Sequence, residues 1–158
     1  MSLLIRLGEP ADFDAAVSVF ERSNSARRHG VWPHRPVRVA RRRERLRKPA
    51  AWLLVAEEAS ALVGMASVDA LYGDDGAGEV VPNGCFLSHL FVGPERWGEG
   101  IGGALLDAVL AEAKRRHYSH LRLWTHEDNE RSHRLYRSRG FSPTGRIADG
   151  EGEWAAEF

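Results

Sequence analysis

One cysteine, two lysines and the lack of any long apolar run set the first limits on this 158-residue chain. With Cys85 alone, no internal disulfide framework is available and nothing marks an oxidising compartment. No hydrophobic stretch approaches the roughly 18 residues a membrane-spanning helix requires, and the apolar start at residues 1–7 is too short for a secretory signal. Net charge is missing too: 22 basic residues balance 22 acidic ones, so no global field recruits nucleic acid or a membrane surface. His120, His126 and Glu127 reproduce no recognised metal-ligand spacing, so no metal is expected. No repeat and no compositional break divides the chain. These absences leave a cytoplasmic globular protein, expected to form one domain over residues 1–158. A domain of that length buries about two-thirds of its unfolded surface and needs no staples.

What is present is unevenly distributed. Residues 27–48 hold nine arginines (27, 28, 35, 38, 41, 42, 43, 45 and 47) and Lys48, against one acid, Glu44. The stretch from Tyr72 to Gly84 carries Asp74, Asp75 and Glu79 and no base. Alternation at Leu3, Ile5 and Leu7 predicts a strand. Pro10 and Asp12 then open a helix with Phe13, Val17 and Phe20 on one face. A second helix is expected over residues 37–47. Trp52–Ala56 and Leu62–Leu71 read as strands around a turn near residues 59–61. Gly73 to Gly84 reads as a flexible connection and Phe86–Val92 as the next strand. A glycine-rich loop follows, then a helix facing inward through Ile101, Leu105, Val109 and Ala113. Leu121–Trp124 is a further strand, and a helix from Glu130 to Arg139 stops at Gly140. A closing hairpin, residues 141–147 and 153–158, turns at Asp149-Gly150.

The segment Leu87 to Leu106, LSHLFVGPERWGEGIGGALL, carries the strongest chemical signal. Glycines at 98, 100, 102 and 103 let successive backbone N–H groups converge, and the helix that follows adds its positive dipole end. Such a loop binds phosphate or diphosphate without a lysine. Gly98, Gly100 and Gly103 also satisfy the G-x-G-x-x-G dinucleotide fingerprint. In that fold, however, the glycines follow the strand directly, whereas residues 93–97 intervene here. Three consecutive strands before the loop also disagree with alternating strands and helices. Nucleic-acid binding through the arginine-rich stretch is a second alternative, but that stretch has no interleaved aromatics apart from Trp32, and nucleic acid is not expected as a partner.

A second segment, Leu121 to Phe141, reads LRLWTHEDNERSHRLYRSRGF. Together the two segments resemble the GNAT superfamily of N-acetyltransferases. The family's signature is a strand, then Q/R-x-x-G-x-G/A opening a helix, then a strand, an asparagine, and a helix ending Y-x-x-x-G-F. Gly100 and Gly102 occupy the glycine positions, Asn129 the asparagine position, and Tyr136, Gly140 and Phe141 the closing motif. The Q/R position holds Trp97, with Arg96 one place earlier. The position where some relatives carry a catalytic glutamate holds Ser88.

The resemblance implies an α/β fold with a mixed, largely antiparallel sheet, splayed central strands and flanking helices. It implies an N-acetyltransferase using acetyl-CoA as donor and a small-molecule or peptide amine as acceptor; homodimers are common in the family. Leu90, Phe91 and Val92 would hold pantetheine through their backbone. Trp97, Gly98, Glu99, Gly100, Ile101, Gly102 and Gly103 would hold the diphosphate, with Trp97 still contributing its amide. Asn129 and Ser132 would orient the cofactor. Tyr136, whose phenol ordinarily ionises near pH 10, would protonate the departing thiolate. The base is open: His89 stands beside Ser88 and an imidazole ordinarily ionises near neutrality, so it could act directly or through water, but alternation with Phe91 also allows it to point into the sheet. The arginine-rich stretch falls in the family's acceptor region and is read either as an anion-seeking surface or as a solvated helix. Cys85 reads as a buried small hydrophobe rather than an acyl carrier.

Overall fold

A computed structural model describes residues 2–27, 51–73 and 78–158. The arginine-rich stretch beyond Arg27 and the helix expected over residues 37–47 lie outside the described residues. Seven strands form one mostly antiparallel sheet in the order β1-β2-β3-β4-β5-β7-β6. They are β1 (Leu4–Leu7), β2 (Trp52–Glu58), β3 (Ala61–Tyr72), β4 (Val80–Val92), β5 (His120–His126), β6 (Ser142–Ala148) and β7 (Glu151–Glu157). Three α-helices accompany them among the described residues: α1 (Phe13–Arg27), α2 (Ile101–Arg115) and α3 (Glu130–Ser138). No helix among these residues is long and apolar enough to cross a membrane. The chain divides into two compact units, each assembled from discontinuous segments.

The first unit comprises Met1–Ser67 and His89–Val109. Its β1 pairs antiparallel with β2, from Leu4↔Glu57 to Leu7↔Leu54. Pro10 sits in the first turn of a short 3-10 segment, Pro10–Asp12, where its missing N–H costs nothing. The Asp12 carboxylate accepts the Glu9 amide at 2.8 Å and takes a two-pronged grip from Arg6 at 2.9 and 3.0 Å. The arginine holds that carboxyl below its usual range. Beyond it, Phe13, Ala16, Val17 and Val19 of α1 pack with Leu53, Val55 and Met65; Phe13 and Val17 come from the expected face, and its third member, Phe20, is also buried. The β2–β3 turn uses Ala59 and Ser60, both left-handed at φ 52° and 64°, which suits the twist of a two-residue hairpin. Helix α2 docks closely on β3. A Cβ added at Gly64 would lie 2.8 Å from Leu105 Cδ1, so only glycine permits this approach.

The second unit comprises Val68–Ser88 and Leu110–Phe158. Here β4 and β5 pair in parallel from Gly84↔His120 to Leu87↔Leu123. Strand β7 pairs antiparallel with β5 along its whole length, and β6 pairs with β7 through an irregular register between Pro143 and Ile147. Asn129 caps α3, its side chain accepting the Ser132 amide at 3.2 Å. Gly140 ends that helix at φ 88°, and the hairpin turns at Asp149 and Gly150, as expected. One expectation fails. Residues 80–84 are strand rather than connection, although Pro82, Asn83 and Gly84 carry the composition of a turn. Asn83 is left-handed at φ 61°, yet its carbonyl accepts the Ser119 amide and Gly84 pairs with His120. Partners more than thirty residues away override the local turn preference.

Candidate active site

The glycine-rich loop belongs to the first unit, where its first part, residues 93–97, is anchored. Gly93 donates its amide to Val63 at 2.8 Å and is followed by a 3-10 turn, Pro94–Arg96. The Trp97 amide closes that turn onto the Pro94 carbonyl at 3.3 Å, and the Trp97 indole donates to the Val92 carbonyl at 2.9 Å. Trp97 therefore points both of these N–H groups back into its own loop. This narrows the expected donor set to residues 98–103. Gly98 and Gly100 adopt φ 83° and 84°, a region that side-chain-bearing residues resist. Gly98, Glu99 and Gly100 are exposed, while Ile101 and Gly103 are buried at the start of α2. The first intrahelical acceptor is Gly100, taken by Ala104 at 3.1 Å. Hence the amides of Ile101, Gly102 and Gly103 lack intrahelical acceptors, and no acidic residue occupies the first turn of α2. This arrangement suits an anion.

Leu90, Phe91 and Val92, at the end of β4, are half-buried. His89 lies among them but is 5% exposed. Its Nδ1 is 2.6 Å from the hydroxyl of Ser67, itself 3% exposed. The ring meets Phe20 of α1 edge-on at 5.6 Å, and Phe20 meets Phe91 at 4.6 Å. Imidazole and hydroxyl thus form a buried polar pair beneath α1. Ser67 escaped the sequence reading; a lone serine inside the apolar run Met65–Val68 was the available signal. Glu58, the last residue of β2, was also missed. It grips Arg96 at 3.1 Å through both carboxylate oxygens, and Arg96 holds its carboxyl below the usual range.

Ser88, Asn129, Ser132 and Tyr136 belong to the second unit. Ser88 is half-buried, and strand alternation puts it on the opposite face from His89. Asn129 and Ser132 meet in the α3 cap, where the asparagine uses its oxygen and retains its NH2 as a donor. Tyr136 is 7% exposed, packed on Phe141 at 5.6 Å and Trp154 at 6.4 Å. Burial pushes its phenol above the ordinary range, so it keeps its proton throughout neutral pH. Cys85 is fully buried, and desolvation pushes its thiol up to about 12, which suits no nucleophile. Among the described residues no group of three or more His, Cys, Asp or Glu side chains is placed to hold a metal.

Solved structures share this architecture. PaiA N-acetyltransferase from Thermoplasma acidophilum, in complex with coenzyme A, is 19% identical, matches over 100% of both chains and gives a TM-score of 0.77. A ribosomal-protein-alanine N-acetyltransferase from Brucella melitensis is 24% identical over 98% of this chain and 99% of its own, at 0.75. The Escherichia coli ribosomal-protein-S18-alanine N-acetyltransferase is 19% identical over 99% and 94%, also at 0.75. At these identities the likeness establishes the fold. No curated protein matches the chain in sequence. A mostly antiparallel sheet with a parallel β4–β5 pair is not the doubly wound parallel sheet of a dinucleotide fold. The profile of the acetyltransferase (GNAT) family matches residues 16–141, four-fifths of the sequence, and the chain belongs to that family.

Proposed function

We propose that the protein transfers an acetyl group from acetyl-CoA to an amine on a small molecule or peptide. The observation that carries this reading is the loop at residues 98–103. Two left-handed glycines lead into three helix N-terminal amides that have no intrahelical acceptor. That donor set fits a diphosphate, and family membership supports acetyl transfer. The coenzyme A held by the T. acidophilum relative supports CoA as the carrier.

When bound, acetyl-CoA supplies an activated thioester carbonyl and a thiolate leaving group. The chain's own residues divide the remaining work. The amides of residues 98–103 hold the diphosphate. Backbone groups of Leu90–Val92 align the pantetheine arm and polarise the carbonyl, a preorganised donor being the largest single contribution to acyl transfer in many enzymes. The NH2 of Asn129 steadies the cofactor. Tyr136, fully protonated at neutral pH, donates to the departing sulfur. The attacking amine loses its proton to solvent rather than directly to His89, whose ring is buried and bonded to Ser67.

Calorimetry tests the reading. CoA and acetyl-CoA bind, and NAD(H) binds far more weakly or not at all. Gly100→Asp abolishes binding, because it adds both a strained side chain at φ 84° and a negative charge to an anion site. NAD binding without CoA binding refutes the proposal. A panel of amines with acetyl-CoA, followed by released thiol, identifies the acceptor.

A further inference from the structure

An anion-binding loop needs its amides aimed at one point and no competing anion beside them. This loop contains one. Glu99 lies between Gly98 and Gly100, and an unpaired carboxylate there repels a diphosphate. The structure gives it a partner: Arg96 Nε donates to Glu99 Oε2 at 2.9 Å. The same guanidinium grips both oxygens of Glu58 at 3.1 Å. The side chains of Arg96 and Glu58 are each 23% exposed, so solvent screens this fork less than a pair on open surface. The arginine that the family pattern expects at position 97 is displaced by one residue. In this chain it is directed back into the protein, onto two carboxylates.

We infer that Arg96 is a positioning residue for the diphosphate arm of CoA, holding the Glu99 carboxylate by a charged hydrogen bond within the loop and tying the loop to the end of β2 through Glu58. The inference rests on the reading that this loop binds CoA. Arg96 directs one N–H from each of its three nitrogens to a carboxylate, so its role runs through the loop. The device accounts for the tolerance of Trp97 at a position where the family has Gln or Arg. Loop geometry comes from the Arg96 fork and the Trp97–Val92 bond, and the backbone amides do the binding.

The experiment compares two acetyl donors in the full chain. Acetyl-CoA carries the diphosphate; S-acetyl-pantetheine lacks it. Wild-type binding of CoA is measured first, and its absence removes the acetyl-CoA reading together with this inference before any variant is made. Given binding, Arg96→Ala raises the KM for acetyl-CoA by about tenfold and leaves kcat nearly unchanged, since an uncompensated charge beside the diphosphate and a loosened loop both act on binding. The KM for S-acetyl-pantetheine stays at the wild-type value. Adding Glu99→Gln to Arg96→Ala recovers about threefold, by removing the stranded carboxylate. Glu58→Gln weakens acetyl-CoA less than Arg96→Ala, because Glu99 keeps its partner. If Arg96→Ala does not fold, Arg96→Lys carries the same donor comparison, with charge retained and the two-pronged grip lost. Unchanged acetyl-CoA KM in these variants overturns the inference. So does an equal loss with both donors, which marks a general distortion. Failure of Glu99→Gln to restore binding overturns the charge-pairing role of Arg96.

Discussion

Placing one methyl group on Gly64 links the core to the proposed cofactor loop. An alanine Cβ there would stand 2.8 Å from Leu105 Cδ1, 3.3 Å from Ile101 Cγ2 and 3.4 Å from Ala56 Cβ. Carbon atoms rest comfortably at about 3.5–4.0 Å, so roughly 0.7 Å must be found against Leu105. Leu105 is 0% exposed and Ile101 3%, which leaves little empty space for the methyl to retreat into. The helix moves instead, and Ile101 is its first residue. Overpacking of this kind costs about 1–3 kcal/mol, offset by about 0.5–1 kcal/mol from removing a glycine from a strand interior. Gly64→Ala is therefore less stable by about 1–2 kcal/mol, read as a lower urea midpoint at unchanged m. Because α2 opens with the free amides, the same substitution weakens CoA binding. Leu105→Ala alone costs about 2–5 kcal/mol, but it makes room for the new methyl. The double variant then loses at least about 1 kcal/mol less than the sum of the singles. A Gly64→Ala protein with wild-type stability and CoA affinity refutes the argument, as does strict additivity in the double variant.

Three further outcomes address the chemistry. Tyr136→Phe keeps the packing on Phe141 and Trp154, so stability and acetyl-CoA affinity hold while kcat falls by on the order of 10²–10⁴; an unchanged kcat, with chemistry shown to be rate-limiting, removes the proposed acid. His89→Ala strands the buried Ser67 hydroxyl and lowers stability by about 2–4 kcal/mol, with a milder effect on kcat; disappearance of the acidic limb of the rate profile near pH 6–7 would instead make His89 the base. Cys85→Ala retains transfer, and the native thiol, pushed up to about 12 by burial, resists a thiol reagent until the chain unfolds; rapid labelling of native protein contradicts this.

The parts of the fold legible in the sequence are those whose signals are local. The faces of α1 and α2, the stop at Gly140 and the Asp149-Gly150 turn depend on periodicity or on a single φ, and each is found where those rules put it. Strand β4 was read six residues short because its first part is held by β5, which arrives later in the chain, and Pro82, Asn83 and Gly84 mimic a turn. For the candidate site, the spacing of glycines located the loop and its helix. That His89 could point into the sheet was legible from its alternation with Phe91. Not revealed were the aim of Trp97, the grip of Arg96 on Glu58, and the contacts of His89 with Ser67 and Phe20. Those depend on where Val92, the end of β2 and Phe20 arrive in space, which no window of neighbouring residues encodes. Asn129 was assigned by family pattern alone, and its capping of Ser132 is a second job that the N-x-x-S spacing already permits.

The pairing of β1 with β2 also has a consequence for how the chain assembles. Arg6 and Glu57 are joined across 51 residues, and closing a loop of that length costs about 3.5 kcal/mol in chain entropy on the logarithmic law. The β2–β3 hairpin, with its two-residue turn, carries no such cost and can form early. Arg6 meets Asp12 only six residues away, so the same side chain that pairs with Glu57 also ties β1 to the entry of α1. During synthesis at roughly 5–20 residues per second, β1 waits roughly 3–10 s for its partner strand to be made. Through that interval the backbone of residues 4–7 lacks its β2 partner; Leu4 and Leu7 stay 54% and 44% exposed even after pairing, so what β2 supplies to this strand is hydrogen bonding and the Arg6–Glu57 pair rather than cover.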